Sequence, residues 1–300
     1  MRRNSMAELL NGKVLAEEIR TGLKTEVEKM IDCGHRPGLA VILVGDDPAS
    51  KVYVNNKKKG CEQTGIYSEV HLLSADTSEE QLLALIHKLN NQDNIHGILL
   101  QSPIPSHLDY KKISETISPE KDVDAFHPYN VGKIMIGDYD LLPCTPAGVV
   151  ELIKSSGVQI AGKHCVIVGR SNIVGKPQAM LLLHENATVT ICHSKTENLK
   201  SFTKQADILV AAVGRAGMIT GDMVKAGAVV IDVGMNRNRE GKLCGDIDFE
   251  SVNKVAGYLT PVPGGVGPMT ITMLLKNTVK AAKIFYENYP ANHDKNHFLS

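Results

Sequence analysis

Two side chains in the first third of the chain have types and spacing suited to binding a flat ligand and moving a proton. Tyr53 and Lys57 are four residues apart in a predicted helix, so both project from one helical face. A ring beside an ammonium group could stack a planar heterocycle and present a proton-transfer group. Alternatively, Tyr53 and Lys57 are ordinary surface residues without a function, since residues 57–59 are three consecutive lysines of the kind found in contact with solvent. The pair alone favours this alternative.

Other positions add weaker indications of a ligand site. Gln101 and Asp124 lie at predicted strand-end or loop positions, where α/β folds gather the groups that bind ligands. The segment 260–270 contains three prolines and three glycines directly before an amphipathic helix. This composition predicts a rigid loop that allows the backbone to approach a ligand closely.

A glycine-containing loop, 169-GRSNIVGKP-177, follows an apolar strand and opens a helix. Backbone N–H groups and the helix dipole favour a phosphate at such a place. The spacing differs from GxGxxG, so an ordinary tight turn is an equally good interpretation. The position of this loop between a strand and a helix, rather than the spacing of its glycines, indicates nucleotide binding.

The end of the next predicted strand indicates which dinucleotide would bind. Where NAD-binding sites usually place an acidic residue, the sequence has His193, Ser194 and Lys195. A hydroxyl and a cation suit a 2′-phosphate, and Arg170 in the glycine loop could bind it in a bidentate fork. NADP is therefore predicted over NAD; the alternative is a solvated strand end.

Apolar, β-branched runs alternate with helix-length amphipathic stretches, which predicts parallel strands joined by crossover helices and an α/β fold class. The first series has strands at 39–45, 69–73 and 95–101, with a helix running to Lys59 and another opened by Ser78. The second series has strands at 164–169, 188–192, 207–213 and 228–234, with helices near 147–156 and 176–185.

The two series predict two domains within the 300 residues. We place the boundary near residue 145, at the end of an apparent loop region from Pro119 to Pro146. Residues 1–145 then form a first α/β domain, and 146–268 form a Rossmann-like second domain. The closing helix, 269–288, is assigned to the first domain.

The composition narrows the classes of function. Lys plus Arg and Asp plus Glu both number 33, so no overall field attracts nucleic acid or an anionic membrane. The longest apolar runs, such as 208–213, are far shorter than the roughly 20 residues that span a bilayer. The arginine-containing N-terminus lacks the apolar stretch of a secretory signal, so we predict a reducing cytoplasmic location.

Cysteine and histidine usage predicts no metal site. The six cysteines form no CxxC pair and are interpreted as packing residues. His293 and His297 have a metal-like spacing, but they lie in a polar tail that we interpret as a frayed C-terminus.

With these residues assembled, the chain resembles the methylenetetrahydrofolate dehydrogenase/methenyltetrahydrofolate cyclohydrolase family over about residues 10–285. The segment 263-PGGVGPMTI-271 matches the family signature without a change, and Tyr53 and Lys57 match its YxxxK motif. Further matching segments are 44-VGDDPASKVYVNNK-57, 119-PEKDVDAF-126, 143-PCTP-146, 169-GRSNIVGKP-177 and 192-CHSKT-196.

The resemblance implies a bifunctional folate enzyme with one active-site cleft between its two domains. It would oxidise 5,10-methylenetetrahydrofolate with NADP to the methenyl cation and hydrolyse that cation to 10-formyltetrahydrofolate. Its partners would be tetrahydrofolate one-carbon derivatives and a second copy of the chain, joined as a homodimer through the cofactor domain. The alternatives are a monofunctional dehydrogenase and a non-catalytic nucleotide-binding regulatory module.

The resemblance also implies roles for individual residues. In the first domain, Lys57 matches the catalytic lysine, Tyr53 the residue along the folate, Gln101 its hydrogen-bonding partner and Asp124 the carboxylate that anchors the pterin. The loop beside the substrate contributes Gly264, Gly265, Gly267 and Pro268. The residues matching NADP contacts are Thr145, Gly169, Arg170, Ser171, Ser194, Met235 and Thr270.

The chemistry of the two reactions explains why few protein groups would be needed to catalyse them. Hydride loss leaves a cation stabilised by N5 and N10, so the protein needs chiefly to align the reacting carbon. Hydrolysis needs a proton acceptor, and a partly desolvated lysine near a cation is expected to have a lowered pKa. Lys57 would relay this proton, with Gln101 tuning it by hydrogen bonding.

Two positions depart from the family pattern. Ser102 replaces the usual leucine after the glutamine, and Ala125 replaces the usual glycine of KDVDG. We interpret both as local variation in the folate pocket that affects substrate affinity and inhibitor selectivity, because the reactive side chains are retained.

Overall fold

The computed structural model describes residues 6–238 and 240–288, which form two compact units. The smaller unit consists of residues 21–127 and 274–288. The larger unit consists of residues 6–20, 128–238 and 240–273. The prediction for His293 and His297 lies outside the described residues.

Every strand of the two predicted series is present. The strands are β1 (Glu8–Leu9), β2 (Gly38–Val44), β3 (Tyr67–Leu73), β4 (Gly97–Leu100), β5 (His164–Val168), β6 (Thr188–Cys192), β7 (Ile208–Ala211), β8 (Val229–Asp232), β9 (Asn236–Arg237), β10 (Leu243–Cys244) and β11 (Tyr258–Leu259). The helices are α1 (Gly12–Asp32), α2 (Pro48–Thr64), α3 (Glu79–Asn90), α4 (Tyr110–Thr116), α5 (Pro128–Ile136), α6 (Cys144–Ser155), α7 (Gly175–His184), α8 (Leu199–Thr203), α9 (Phe249–Val252) and α10 (Val266–Asn288). The α/β prediction is confirmed.

The smaller unit contains a three-stranded parallel sheet in the order β3-β2-β4. All seven residues of β2 are buried, as expected for the central strand of a parallel sheet covered on both faces. One face packs against α3, where burying each large aliphatic side chain contributes about 1.5–3 kcal/mol. The main buried contacts on this face are Ala40, Ile42, Val44, Leu82, Ile86, Leu89, Ile98 and Leu100.

The larger unit contains a six-stranded parallel sheet in the order β1-β11-β8-β7-β5-β6. The interior strands β5, β7 and β8 are apolar and almost wholly buried, whereas the edge strand β6 is partly exposed. Because β5, β6, β7 and β8 run in one direction, their carboxyl ends meet at one edge of the sheet. The loops at that edge, residues 169–175, 193–195, 213–215 and 233–236, are called the cofactor edge below.

The compact units divide the chain differently from the predicted boundary at residue 145. The predicted loop from 119 to 146 is wrong, because it contains α5 and the start of α6. Helix α5 packs on α7, and the His184 ring nitrogen Nε2 lies 2.7 Å from the Ile134 carbonyl oxygen. These contacts place residues 128–145 in the larger unit.

Both ends of the chain also cross the predicted division. Strand β1 pairs with β11, so the N-terminal residues join the larger sheet. Helix α10 begins at Val266 rather than Met269, and only its residues from Leu274 onward belong to the smaller unit. There Asn277 Nδ2 donates to the Val123 carbonyl at 2.7 Å. The assignment of one function to each domain stays a prediction at this point, as does the cleft.

The cysteines are mostly packing residues, as predicted. Cys61, Cys144, Cys165 and Cys192 are buried, but Cys33 is exposed at the end of α1 and does not fit that interpretation. Within the described ranges, no helix combines the length and apolar character needed to cross a membrane.

Candidate active site

Helix α2 carries Tyr53 and Lys57, and local sequence signals define both of its ends. Asp47 Oδ2 accepts a hydrogen bond from the Ser50 N–H at 2.7 Å, and Pro48 occupies the first turn. Gly65 ends the helix in the left-handed conformation, φ 82°, with its N–H bonded to the Cys61 carbonyl. The helix therefore presents the two side chains one turn apart.

The three consecutive lysines are not equivalent. Lys57 is only 8% exposed, whereas Lys58 and Lys59 are exposed. Lys57 Nζ donates to Gln101 Oε1 at 2.8 Å, across 44 residues of sequence. The solvated interpretation is therefore wrong for Lys57 and right for its two neighbours, because α2 directs only one of the three side chains inward.

Gln101 follows β4 directly and is fixed from two sides. Its backbone N–H donates to the Ile42 carbonyl at 2.9 Å, which continues the sheet pairing beyond Leu100. Its side-chain Nε2 donates to the Ser102 carbonyl at 2.7 Å. With the amide nitrogen bonded there, the amide oxygen is directed towards the amine of Lys57.

Tyr53 is half-buried, and burial raises the pKa of its hydroxyl. The ring therefore stays neutral at physiological pH. A neutral ring one helical turn from a buried amine is the arrangement expected for stacking a flat ligand next to a proton-transfer group.

Asp124 is partly exposed in a loop. Hydrogen bonds from residues that were not predicted from the sequence hold the backbone of this loop. Asp122 Oδ2 accepts a hydrogen bond from the His127 N–H at 2.7 Å, and Asn277 bonds the Val123 carbonyl. Ala125 has a positive φ of 55°, the region that favours glycine. No local signal could have linked Asn277 to a loop 154 residues away.

A tyrosine close to Asp124 was also missed. Burial raises the pKa of Tyr110, its hydroxyl hydrogen-bonds with the Ser102 side chain, and the charge of Asp124 raises the same pKa. Ser102 thus acts as a polar partner where the family pattern has leucine, which supports its interpretation as a variation in the pocket.

In the larger unit, the glycine loop after β5 has no room for side chains at two positions. Gly169 has φ 139°, and a Cβ there would lie 2.2 Å from the Ala212 carbonyl oxygen. A Cβ on Gly175 would lie 2.3 Å from the Gly169 carbonyl oxygen. The glycines are therefore required by close backbone approach within the chain itself.

The polar groups of this loop remain at the surface. Arg170 and Ser171 are exposed, and helix α7 begins at Gly175 without a side-chain bond from its N-cap residue. Ser171 Oγ accepts bonds from the Val174 and Gly175 N–H groups at 3.2 and 3.3 Å. The predicted phosphate contact Ser171 therefore also shapes the loop.

The turn after β6 lies beside the glycine loop, because the Gly169 N–H donates to the Cys192 carbonyl at 2.8 Å. His193 organises this turn: its N–H donates to Thr196 Oγ1, and its Nδ1 accepts from the Lys195 N–H. Ser194 and Lys195 are left exposed. The hydroxyl, the ammonium and the guanidinium of Arg170 thus follow neighbouring strand ends, as a phosphate site would need.

The remaining predicted residues fall into two groups. Thr145 and Thr270, from α6 and α10, are brought together with their hydroxyl oxygens 3.0 Å apart, and Met235 is exposed on the cofactor edge. The glycine–proline loop lies very close to the start of α1, because a Cβ on Gly12 would lie 1.8 Å from the Gly265 carbonyl oxygen. Gly264 has φ 107°, Gly267 has open space around it, and the Pro268 carbonyl accepts from Thr272 Oγ1 at 3.1 Å.

These features define a class of protein: an α/β enzyme with a buried amine–amide pair in one unit and a nucleotide-type parallel sheet edge in the other. Two family models match the chain. The catalytic domain of the tetrahydrofolate dehydrogenase/cyclohydrolase family matches residues 10–124, and the NAD(P)-binding domain of that family matches residues 143–286. The chain therefore belongs to the tetrahydrofolate dehydrogenase/cyclohydrolase family.

Individual relatives agree with this assignment. The bifunctional protein FolD of Acetivibrio thermocellus is 60% identical over 278 residues, which cover 93% of this chain and 98% of that protein. The crystal structure of the bifunctional FolD enzyme of Campylobacter jejuni has a TM-score of 0.90 at 50% identity, covering 93% of this chain and 99% of the other. The Trypanosoma brucei enzyme, complexed with NADP and an inhibitor, has a TM-score of 0.89 at 39% identity, covering 93% and 98%. The prediction of a bifunctional folate enzyme is confirmed.

Proposed function

We propose that this chain oxidises 5,10-methylenetetrahydrofolate to the methenyl cation with NADP and then hydrolyses the cation to 10-formyltetrahydrofolate. The observation that carries the proposal is the 2.8 Å contact between Lys57 Nζ and Gln101 Oε1 within the matched catalytic domain. The buried amine of Lys57, directed by an amide, argues against a monofunctional dehydrogenase, and in a regulatory module this pair would have no explanation.

The residues on the cofactor edge fit NADP. Arg170, Ser194 and Lys195 supply a guanidinium, a hydroxyl and an ammonium at neighbouring strand ends, which is the donor set that a 2′-phosphate requires. The glycine loop and the positive end of the α7 helix dipole lie where the pyrophosphate binds in sheets of this kind. NADP, when bound, supplies the hydride acceptor of the first reaction.

The protein's part in the oxidation is to position the folate. Loss of hydride from the methylene carbon leaves a positive charge that N5 and N10 share, so no strong base is needed. We assign the stacking surface for the pterin to Tyr53 and the bonds to its N–H edge to Asp124, whose carboxylate makes charge-assisted bonds. The loop with Gly264, Gly265, Gly267 and Pro268 is assigned to the substrate side.

Hydrolysis of the methenyl cation requires a proton acceptor. As the water oxygen bonds to the methenyl carbon, a water proton passes to the amine of Lys57. The carbon–N5 bond then breaks, N5 takes a proton, the hydroxyl proton is lost, and one proton is released overall. Gln101 is a neutral acceptor that orients the amine without favouring the ammonium form as a carboxylate would.

We also propose that the chain is a homodimer through the larger unit and is cytoplasmic. Strand β6 is an edge of the six-stranded sheet, and Ile191 on β6 and Leu183 on α7 expose apolar side chains beside it. An exposed apolar edge strand is suited to pairing with another chain. Sedimentation of Ile191→Glu tests this: we expect monomer where the unchanged protein is dimer, and a monomeric unchanged protein contradicts the proposal.

The function is tested by following formation and decay of the methenyl compound with NADP and with NAD. We expect the purified protein to form it faster with NADP and to hydrolyse it. Lys57→Met should lose hydrolysis most severely, whereas Lys58→Met, the exposed neighbour, should keep both activities. Hydrolysis no faster than in buffer contradicts the bifunctional proposal, and absence of both reactions favours the regulatory module.

A further inference from the structure

A fully buried carboxylate, Asp246, lies behind the cofactor edge and contacts two of its loops. Its Oδ2 accepts hydrogen bonds from the N–H groups of Val213 and Gly214 at 2.6 and 3.1 Å. Its Oδ1 accepts from the Arg215 N–H and from Asn236 Nδ2, both at 2.8 Å. Four donors from two loops thus converge on one side chain.

These two loops follow adjacent strands of the sheet. Residues 213–215 come after β7 and residues 233–236 come after β8, while the glycine loop follows β5 on the other side of β7. In sheets of this kind, ligands bind outside the carboxyl ends of the strands. Asp246 therefore holds the backbone of one loop and the Asn236 side chain of a second loop, both at the edge where a dinucleotide would bind.

A second buried carboxylate keeps Asp246 in place. Asp232, the last residue of β8, accepts bonds from the N–H groups of Gly234, Asp246 and Ile247 at 2.9, 2.9 and 3.1 Å. The packing around the pair is tight: a Cβ on Gly245 would lie 1.7 Å from Asp232 Oδ2. A Cβ on Gly234 would lie 2.4 Å from Asp246 Oδ1. The Asp246 carboxylate has little freedom to move.

The chemistry of the site requires an acid rather than an amide. A carboxylate can accept bonds at both oxygens, and bonds to a charged acceptor are about twice as strong as neutral ones. An asparagine at position 246 would direct an NH₂ group at two of the four donors. The isosteric change Asp246→Asn therefore breaks the arrangement while preserving its shape.

We propose that Asp246 is a positioning residue for NADP: by fixing Gly214, Arg215 and Asn236, it shapes the surface on which the dinucleotide lies. Met235, predicted as a cofactor contact, is the residue between Gly234, which packs against this carboxylate, and Asn236, which donates a hydrogen bond to it. The inference rests on the proposed function, because it assumes that the cofactor edge binds NADP.

The bifunctional chemistry provides a selective readout. Hydrolysis of the methenyl cation consumes water and uses no NADP, so a defect limited to the cofactor edge should leave it intact. Calorimetric titration with NADP measures binding without turnover, and amide hydrogen exchange reports the order of residues 213–215. The matched control is Asp248→Asn, the same change two residues away at a side chain that makes no helix-cap bond.

For Asp246→Asn we expect the Kd for NADP to rise about tenfold or more, amide exchange at residues 213–215 to accelerate, and hydrolysis to stay within about twofold. Asp248→Asn should match the unchanged protein in all three. A Kd within about twofold of the unchanged value for Asp246→Asn overturns the inference, as does an equal loss of hydrolysis and binding.

If Asp246→Asn does not fold, Asn236→Ala decides the question, because it removes only one partly buried bond to the carboxylate. We expect its Kd for NADP to rise about threefold to fivefold with hydrolysis unchanged; an unaltered Kd overturns the inference. Failure of the unchanged protein to bind NADP would instead contradict the proposed function.

Discussion

The catalytic pair of the smaller unit and the cofactor edge of the larger unit are built in different ways. Lys57 and Gln101 meet side chain to side chain, one from a helix and one from a strand end. On the cofactor edge, buried carboxylates bond backbone N–H groups, and Asp232 and Asp246 together accept six of them. One site places reactive groups, and the other shapes a surface.

This difference predicts different consequences of substitution. A change at the catalytic pair should alter chemistry and leave the sheet edge intact, because Lys57 and Gln101 support few backbone groups. A change at the carboxylates should alter cofactor binding and folding together, since each supports several. The comparison can be tested with single variants in each unit.

The largest effect is expected at Gln101→Leu, which removes the acceptor for Lys57 Nζ and leaves the amine without that orientation. Methenyl hydrolysis should fall about 100-fold or more, the usual contribution of a positioned proton-transfer group. The Kd for NADP should not change. Measuring the hydrolysis rate and the Kd for NADP on the same preparation distinguishes an effect on the smaller unit from an effect on the larger one. Full hydrolysis by the variant would refute the assigned role of Gln101.

The next effect concerns Asp232, whose pKa burial raises from 3.8 to about 6 against the opposing influence of three N–H donors. A raised acid pKa means that the folded state binds the proton more tightly. The contribution of Asp232 to the unfolding free energy is therefore fully present below pH 3.8 and is lost as the pH rises through about 6.

Relative to Asp232→Asn, the unchanged protein should lose on the order of 3 kcal/mol of unfolding free energy between these two pH values. Denaturant unfolding of both proteins at a series of pH values measures this difference. Parallel pH profiles would show that Asp232 does not titrate in this range and would remove one distinction between the units.

A smaller effect is expected at Arg170→Gln, which removes a guanidinium from the predicted 2′-phosphate site. The Kd for NADP should rise about tenfold, the value of a charge-assisted bond, while the Kd for NAD stays unchanged. If calorimetric titration shows that NADP and NAD binding are weakened equally, Arg170 contacts a part of the dinucleotide that is common to both molecules.

The smallest effect is expected at Ala125→Gly in the loop that carries Asp124. Ala125 has φ 55°, where glycine avoids a steric cost, so the free energy of unfolding should rise by about 1 kcal/mol. The same change at Ala179, inside α7, should lower it by about 1 kcal/mol or more. Thermal unfolding of the two variants should therefore shift in opposite directions.

The sequence predicted the sheet strands well and the connections poorly. Strands such as β2 and β5 are continuous apolar runs, a signal that survives without tertiary information. Helix α5 was missed because it is only nine residues long and carries apolar side chains such as Tyr129 and Met135 on its exposed face. Strands β1 and β11 have only two residues each, and they form by adding to the larger sheet: β11 pairs with β8, and β1 pairs with β11.

The site was predicted unevenly for a similar reason. Tyr53, Lys57 and Gln101 were found because helical spacing and a strand end are local signals, aided by the family resemblance. Asp246 was missed because an aspartate in a loop has no distinguishing local pattern; its importance comes from donors 10 to 33 residues away. Asn277 was missed for the same reason.

The amino-acid sequence alone determined the alternation of strands and helices, the glycines that permit tight turns, and the chemical groups available for proton transfer and phosphate binding. Only the tertiary structure decided which of three adjacent lysines is buried, which side chain it meets, and which loops share one carboxylate. Local geometry follows from neighbouring residues, whereas burial and convergence depend on segments that come together only when the sheets form.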